Sequence, residues 1–422
     1  MQIIGYCSKK INLFFKILRA IQKKRGRNER RGKRLAKDLN SVYNRHMFTE
    51  EKKVEYIELI YDLIFVYLIG RSNELLHDME GGFFTFGTFL TYLISALAIL
   101  QIWYMSTLFI NRYGSNRATD YLGLFINMYL LYYMAEGTRA EWGGYYMRYN
   151  IAWGLILVNL ALQYLIHWKK QGQVPPWEAA HIKSRMISLL IQAGLVFLSI
   201  PVYYLLHFPL SWVSLVAGFV VSFFTRKIDV LVPVNFEHLT ERVMLYTVLT
   251  FGEMIVSVAV YFEGVFSMNT LYFSIMAFLI VAGMFLSYGL LYDRIIDRNM
   301  HNTGSGYMLL HIVLLMALNC VTAALEYMPD PEVNEIAKAA MITIAFLIYY
   351  VFLFIIAEYA GDCNRPKRPL ILRMIITSVV FAALMAATYR NGAVSIAVSA
   401  VYIFGMFGWL IYEYRNGKCR NA

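Results

Sequence analysis

Apolar residues arrive along this chain in long blocks, separated by short polar connections. Twelve such blocks stand out, at 54–77, 83–110, 119–138, 145–168, 183–206, 208–227, 241–262, 269–292, 305–326, 335–359, 369–388 and 393–413. Most reach the roughly 20 residues that a helix needs to cross a bilayer. Backbone polar groups in lipid must be satisfied within the segment, so the blocks read as helices. No set of alternating ten-residue segments points to barrel strands. The pattern predicts an all-α polytopic transmembrane bundle of about twelve spans over 54–413. A basic arm over 1–53 precedes it and a short tail over 414–422 follows.

Composition sharpens the class. Of 422 residues, 59% are hydrophobic, against about 45–50% for a soluble domain. The connections then fix an orientation. Those after even-numbered blocks, such as NRYGSNRA, HWKKQGQVPPWEAAHIKSR, TRKIDVLVPVNFEHLTER and GDCNRPKRP, are rich in Lys and Arg. Those after odd-numbered blocks, such as HDMEGG, YFEGVFSMNT and EYMPDPEVNEIAK, have few basic residues. Basic loops stay in the cytoplasm, so both termini are expected there, in a plasma membrane.

The arm holds 16 of the 39 Lys and Arg. Its stretch INLFFKILRAI, over residues 11–21, is amphipathic at helical spacing, and KKRGRNERRGKR follows. Lys16 and Arg19 interrupt the apolar run and no cleavage site follows it, so a signal peptide is not expected. An amphipathic segment plus a basic run beside a first span suits anionic lipid. Lys23, Lys24, Arg25, Arg27, Arg30 and Arg31 are the expected lipid contacts. Nucleic acid would attract the same charges, but a membrane-tethered arm favours lipid.

Candidate chemistry lies inside the blocks. In VEYIELIYDLIFVYLIG, residues 54–70, Glu58 and Asp62 fall about 40° apart on one helix face. Asn73 extends that stripe, and His77 ends it. A carboxylate near the bilayer centre costs roughly 2.5–3.5 kcal/mol, so these residues should face protein or a watery cavity. The functional reading is a proton or cation site; the structural one is a helix cap at Glu58 and an ion pair at Asp62. The seventh block carries Arg242 and Glu253, eleven residues and about 16 Å apart on nearly one face. Gly252 beside Glu253 would admit a neighbouring helix or a ligand. Asp62 and Glu253 are expected to face one polar cavity between the first and seventh spans.

Those acidic blocks are the first and seventh of twelve. Aligning Glu58 with Glu241 sets Asn111 within one residue of Asp293, which is compatible with halves at 54–227 and 241–413 forming a 6+6 parallel repeat. His311 and Asn319 read as interhelical hydrogen-bonding residues. No HxxxH pair, CxxC pair, GxGxxG or Walker sequence occurs, so no metal, cofactor or ATP site is expected.

Several of these stretches resemble the bacterial low-temperature-requirement A (LtrA) membrane protein family. The resemblance rests on VEYIELIYDLIFV, on HLTERVMLYTVLTFGEMIVSV over residues 238–258, on the Asn111-Arg112-Tyr113 corner, and on GLLYDR over residues 289–294. Where the family has an acidic cluster after its corner, this chain has Gly114-Ser115-Asn116-Arg117 before Asp120. The resemblance implies a bacterial membrane protein and prescribes no reaction. The leading expectation is a secondary transporter or permease for a small solute or ion, coupled through Glu58, Asp62 and Glu253 with Asn73, Arg112 and Arg242 nearby. A membrane-embedded enzyme acting on a lipid or isoprenoid, and a sensor or scaffold, are the alternatives.

Overall fold

In the computed structural model, residues 52–136, 142–172, 174–262, 267–300, 302–361 and 365–416 are described. The basic arm, with its expected lipid contacts Lys23, Lys24, Arg25, Arg27, Arg30 and Arg31, lies outside them apart from Lys52 and Lys53.

Each apolar block forms one helix. They are α1 (Tyr56–Asn73), α2 (Phe86–Tyr113), α3 (Ala118–Glu136), α4 (Trp142–Gln171), α5 (Pro176–Leu206) and α6 (Ser211–Phe224). The second set is α7 (Phe236–Val258), α8 (Met268–Arg294), α9 (Ser305–Tyr327), α10 (Glu335–Ile356), α11 (Arg368–Thr388) and α12 (Gly392–Asn416). Starts are set by side chains that accept otherwise orphaned amides. Thr85, Asn235, Ser267 and Asn334 cap α2, α7, α8 and α10 in this way. Prolines in the first turn open α5 and α11.

Two boundaries differ from expectation, both at the end rich in Lys and Arg. α5 begins at Pro176 and α7 at Phe236, so WEAAHIKSR and FEHLT are helical. A first-turn proline and an asparagine cap start these helices while the sequence is still polar. Eight of the twelve helices are long and apolar enough to cross a membrane. The remaining four are the short α6 together with α1, α3 and α7, whose polar residues lower their hydropathy.

The polarity of α1 is inverted relative to a soluble helix. Glu58, Asp62, Ser72 and Asn73 are buried, whereas Ile60, Leu63 and Tyr67 face outward. α11 likewise turns Leu372, Ile375, Ile376, Val379 and Val380 outward. Apolar residues outside and polar ones inside are what lipid selects.

Several neighbour pairs recur in both halves of the chain. α1 packs on α2 and α3, α3 on α4, α5 on α6, and α2 on α6. Correspondingly, α7 packs on α8 and α9, α9 on α10, α11 on α12, and α8 on α12. The halves meet where α7 crosses α1 and α2 and where α9 meets both. A two-residue ladder pairs Met79–Glu80 with Phe83–Phe84 across Gly81 and Gly82. Both glycines have positive φ, 67° and 87°, as a tight hairpin turn requires. The Gly82 carbonyl accepts from the Asn334 amide at 2.8 Å, tying the α1–α2 and α9–α10 connections together.

Candidate functional site

Asp62 and Glu58 point from α1 into the seam with α7, where Arg242 meets both. Its Nε donates to Asp62 Oδ2 at 3.0 Å and its Nη2 to Asp62 Oδ1 at 2.8 Å. Nη1 donates to Glu58 Oε2 at 2.9 Å. The planar guanidinium suits this forked geometry, which a lysine could not reproduce. The indole of Trp103 on α2 donates to Asp62 Oδ1 at 3.0 Å and stacks on Tyr246 at 4.4 Å. All three charged side chains are sealed from the surface. The four-residue spacing of Glu58 and Asp62 therefore serves one arginine from another helix.

A polar chain extends the cluster toward the end rich in basic loops. The Asn235 amide donates to Asn111 Oδ1 at 2.9 Å, which fixes the orientation of the Asn111 side chain. Asn111 Nδ2 must then donate to His238 Nδ1, 3.0 Å away. The imidazole proton is accordingly on Nε2, which faces Glu58 Oε1 at 3.4 Å. His238 enters as a neutral donor. Two carboxylates share a single guanidinium.

The other expected residues are distributed differently. Glu253 is half-buried on α7, beyond the Arg242 cluster along the helix axis. It packs against α1 at Gly70, where an added Cβ would stand 2.7 Å from Glu253 Oε1. The glycine that admits this contact is Gly70. Gly252, expected to play that part, is exposed and has open space where a Cβ would go. Asn73 is buried one turn beyond Gly70, and its Oδ1 has no hydrogen-bond partner. Glu326 on α9 acts electrostatically on Glu253 and bonds His77 at 2.8 Å. Asp62 and Glu253 thus occupy two stations on one α1–α7 seam.

Arg112 belongs to a second cluster, most of which the sequence reading missed. Its Nε and Nη2 donate to the backbone carbonyls of Val232 and Thr303 at 3.0 and 3.1 Å. Nearby, Arg185 on α5 grips both carboxylate oxygens of Asp229, which lies in the single helical turn Arg226–Asp229 between α6 and α7. His181 meets the same carboxylate at 3.1 Å, and the Tyr113 hydroxyl bonds His181 Nδ1 at 2.7 Å. Burial raises the Asp229 pKa, but the His181 hydrogen bond and the Arg185 charge outweigh it, leaving the carboxyl below its ordinary value. Among the described residues, no group of three or more His, Cys, Asp or Glu side chains could hold a metal ion.

Comparison with curated proteins and with solved structures returned no match. The model of one family, bacterial low temperature requirement A protein (LtrA), does match, over residues 53–403. That range extends the quoted stretches, which end at Arg294, into α12. With its apolar helices and inward-facing charges, this chain is a multi-pass membrane protein and belongs to the LtrA family.

Proposed function

We propose that this protein is a secondary transporter or permease for a small solute or ion, coupled to protons or cations through carboxylates on the α1–α7 seam. The observation that carries the reading is the charge balance of the enclosed cluster. Glu58 and Asp62 together bring two negative charges to one Arg242, and His238 adds none. Gain or loss of a proton at Glu58 changes the charge beside the Asp62–Arg242 pair by one, a change that a moving seam or an arriving cation can answer. Glu58 also borders a small cavity that Gly114, Asn116 and Asp120 line at the α2–α3 corner.

Glu253 supplies a second station nearer the opposite end, and no salt bridge occupies it among the described residues. The neighbour pairs that recur in α1–α6 and α7–α12 support a parallel 6+6 repeat with the site between its leading helices. In this reading all twelve helices span a bacterial plasma membrane. Both termini are cytoplasmic, and the basic arm rests on anionic lipid.

The test is solute-dependent proton movement in proteoliposomes carrying an internal pH dye, screened over a broad solute panel. Glu58→Gln and Glu253→Gln should each abolish proton movement while the purified variants keep wild-type helix content. Proton-linked flux that survives both substitutions sinks the assignment.

A further inference from the structure

A cavity away from the carboxylate seam is lined by two arginines and no carboxylate. It is a small cavity of about 20 Å³ between α2, α4 and α5, lined among others by Tyr104, Leu108, Arg112, Tyr164, Arg185 and Leu189. Three polar atoms of its lining residues are buried without a partner: Arg112 Nη1, Arg185 Nε and the Tyr104 hydroxyl. Tyr104 is 1% exposed and Arg185 9%. A buried donor left unmade costs about 1–3 kcal/mol, and here three belong to the lining of one space.

The charges agree with the donors. Arg112 and Arg185 bring two positive charges, and Asp229 answers one. His181 contributes none if the Tyr113 hydroxyl donates to its Nδ1, leaving Nε2–H to face Asp229. One positive charge is left over. Arg112 cannot swing away to water, because two backbone carbonyls hold its other nitrogens. Arg185 is pinned by Asp229 in the same manner. Two fixed guanidinium edges and a hydroxyl form a preorganised donor set with no carboxylate in the lining.

We infer that Arg112, Arg185 and Tyr104 bind a phosphate-type oxyanion, with one oxygen seated among the three orphaned donors. Arg112 is in the last turn of α2, at the end rich in basic loops. Free phosphate and the phosphate of an anionic lipid headgroup could both supply that chemistry there. The site is separate from the proposed proton stations, and its occupancy is read without any flux.

The experiment uses the full chain, purified in detergent and stripped of lipid. Thermal stability is followed against phosphate and against chloride at matched ionic strength. A parallel arm measures binding to nanodiscs containing phosphatidylglycerol or phosphatidylcholine. Phosphate should stabilise where chloride does not, and Tyr104→Phe should weaken phosphate affinity roughly tenfold without lowering the unliganded melting temperature. That variant removes only a hydroxyl with no partner, so it tests the site without breaking the fold. Arg112→Lys keeps the charge, loses the fork and should weaken binding further. Preference for phosphatidylglycerol nanodiscs over free phosphate assigns the site to a headgroup; the reverse assigns it to the free anion. Equal stabilisation by chloride, or an unchanged affinity in Tyr104→Phe, overturns the inference.

Discussion

Replacing Arg242 with methionine isolates the charge cluster at similar volume. The substitution deletes three charge-assisted hydrogen bonds and leaves Glu58 and Asp62 enclosed side by side. The Trp103 indole and the long His238 contact still face them. Breaking a buried ion pair from one side costs about 3–5 kcal/mol, a large share of the roughly 5–15 kcal/mol that holds a domain folded. At 1.4 kcal/mol per decade, that is a shift of about two to three and a half decades in the unfolding equilibrium. Equilibrium unfolding in mixed micelles, titrated with SDS, measures it. The triple variant Glu58→Gln, Asp62→Asn, Arg242→Met removes every charge while keeping side-chain size. It should recover most of the loss, because the cost comes from uncompensated charge and not from packing. A triple variant as unstable as Arg242→Met alone would refute that account.

Three further outcomes are expected. The Asp229 carboxyl lies below its ordinary value of 3.8, so its contribution to stability is present above that pH and is lost as pH falls below it. Asp229→Asn should therefore flatten the acid limb of a stability-versus-pH curve measured down to pH 3. Gly70→Ala should displace the Glu253 carboxylate and impair proton-linked flux, whereas Gly252→Ala, with open space at its Cβ, should change stability and flux little; the same assays compare them. In a cysteine-free background, Glu332→Cys should react with an impermeant thiol reagent outside sealed cells and Arg365→Cys should not.

Hydropathy periodicity made the helices legible, because lipid demands long uninterrupted blocks, and the boundaries of α2, α9 and α10 follow it closely. The inward orientation of Glu58 and Asp62 was also readable, since a carboxylate cannot reach far enough to escape lipid. Their partner was less so. Arg242 and Glu253 share a face of α7, but the chain separates them along the axis and gives Arg242 to α1. Hydropathy concealed the Arg185–Asp229–His181 cluster for a different reason. His181 and Arg185 fell near or inside what looked like a loop, because α5 begins at Pro176 while its sequence is still polar. The Pro-Pro pair at 175–176, followed by Glu178 in the first turn, was the local signal for that earlier start.

The ion pair across the α1–α7 seam also sets an order of events during synthesis. Asp62 and Arg242 are separated by 180 residues. At about 5–20 residues per second, the ribosome needs roughly 10–40 s to deliver the second after the first. During that interval Asp62, and Glu58 in the first turn of α1, lack the Arg242 guanidinium; a carboxylate at a helix centre in lipid costs about 2.5–3.5 kcal/mol. α1 also falls short of the apolarity that marks the eight clear spans. The Arg242 contacts can form only after α7 has been made, so this part of the seam's stabilisation arrives late in synthesis.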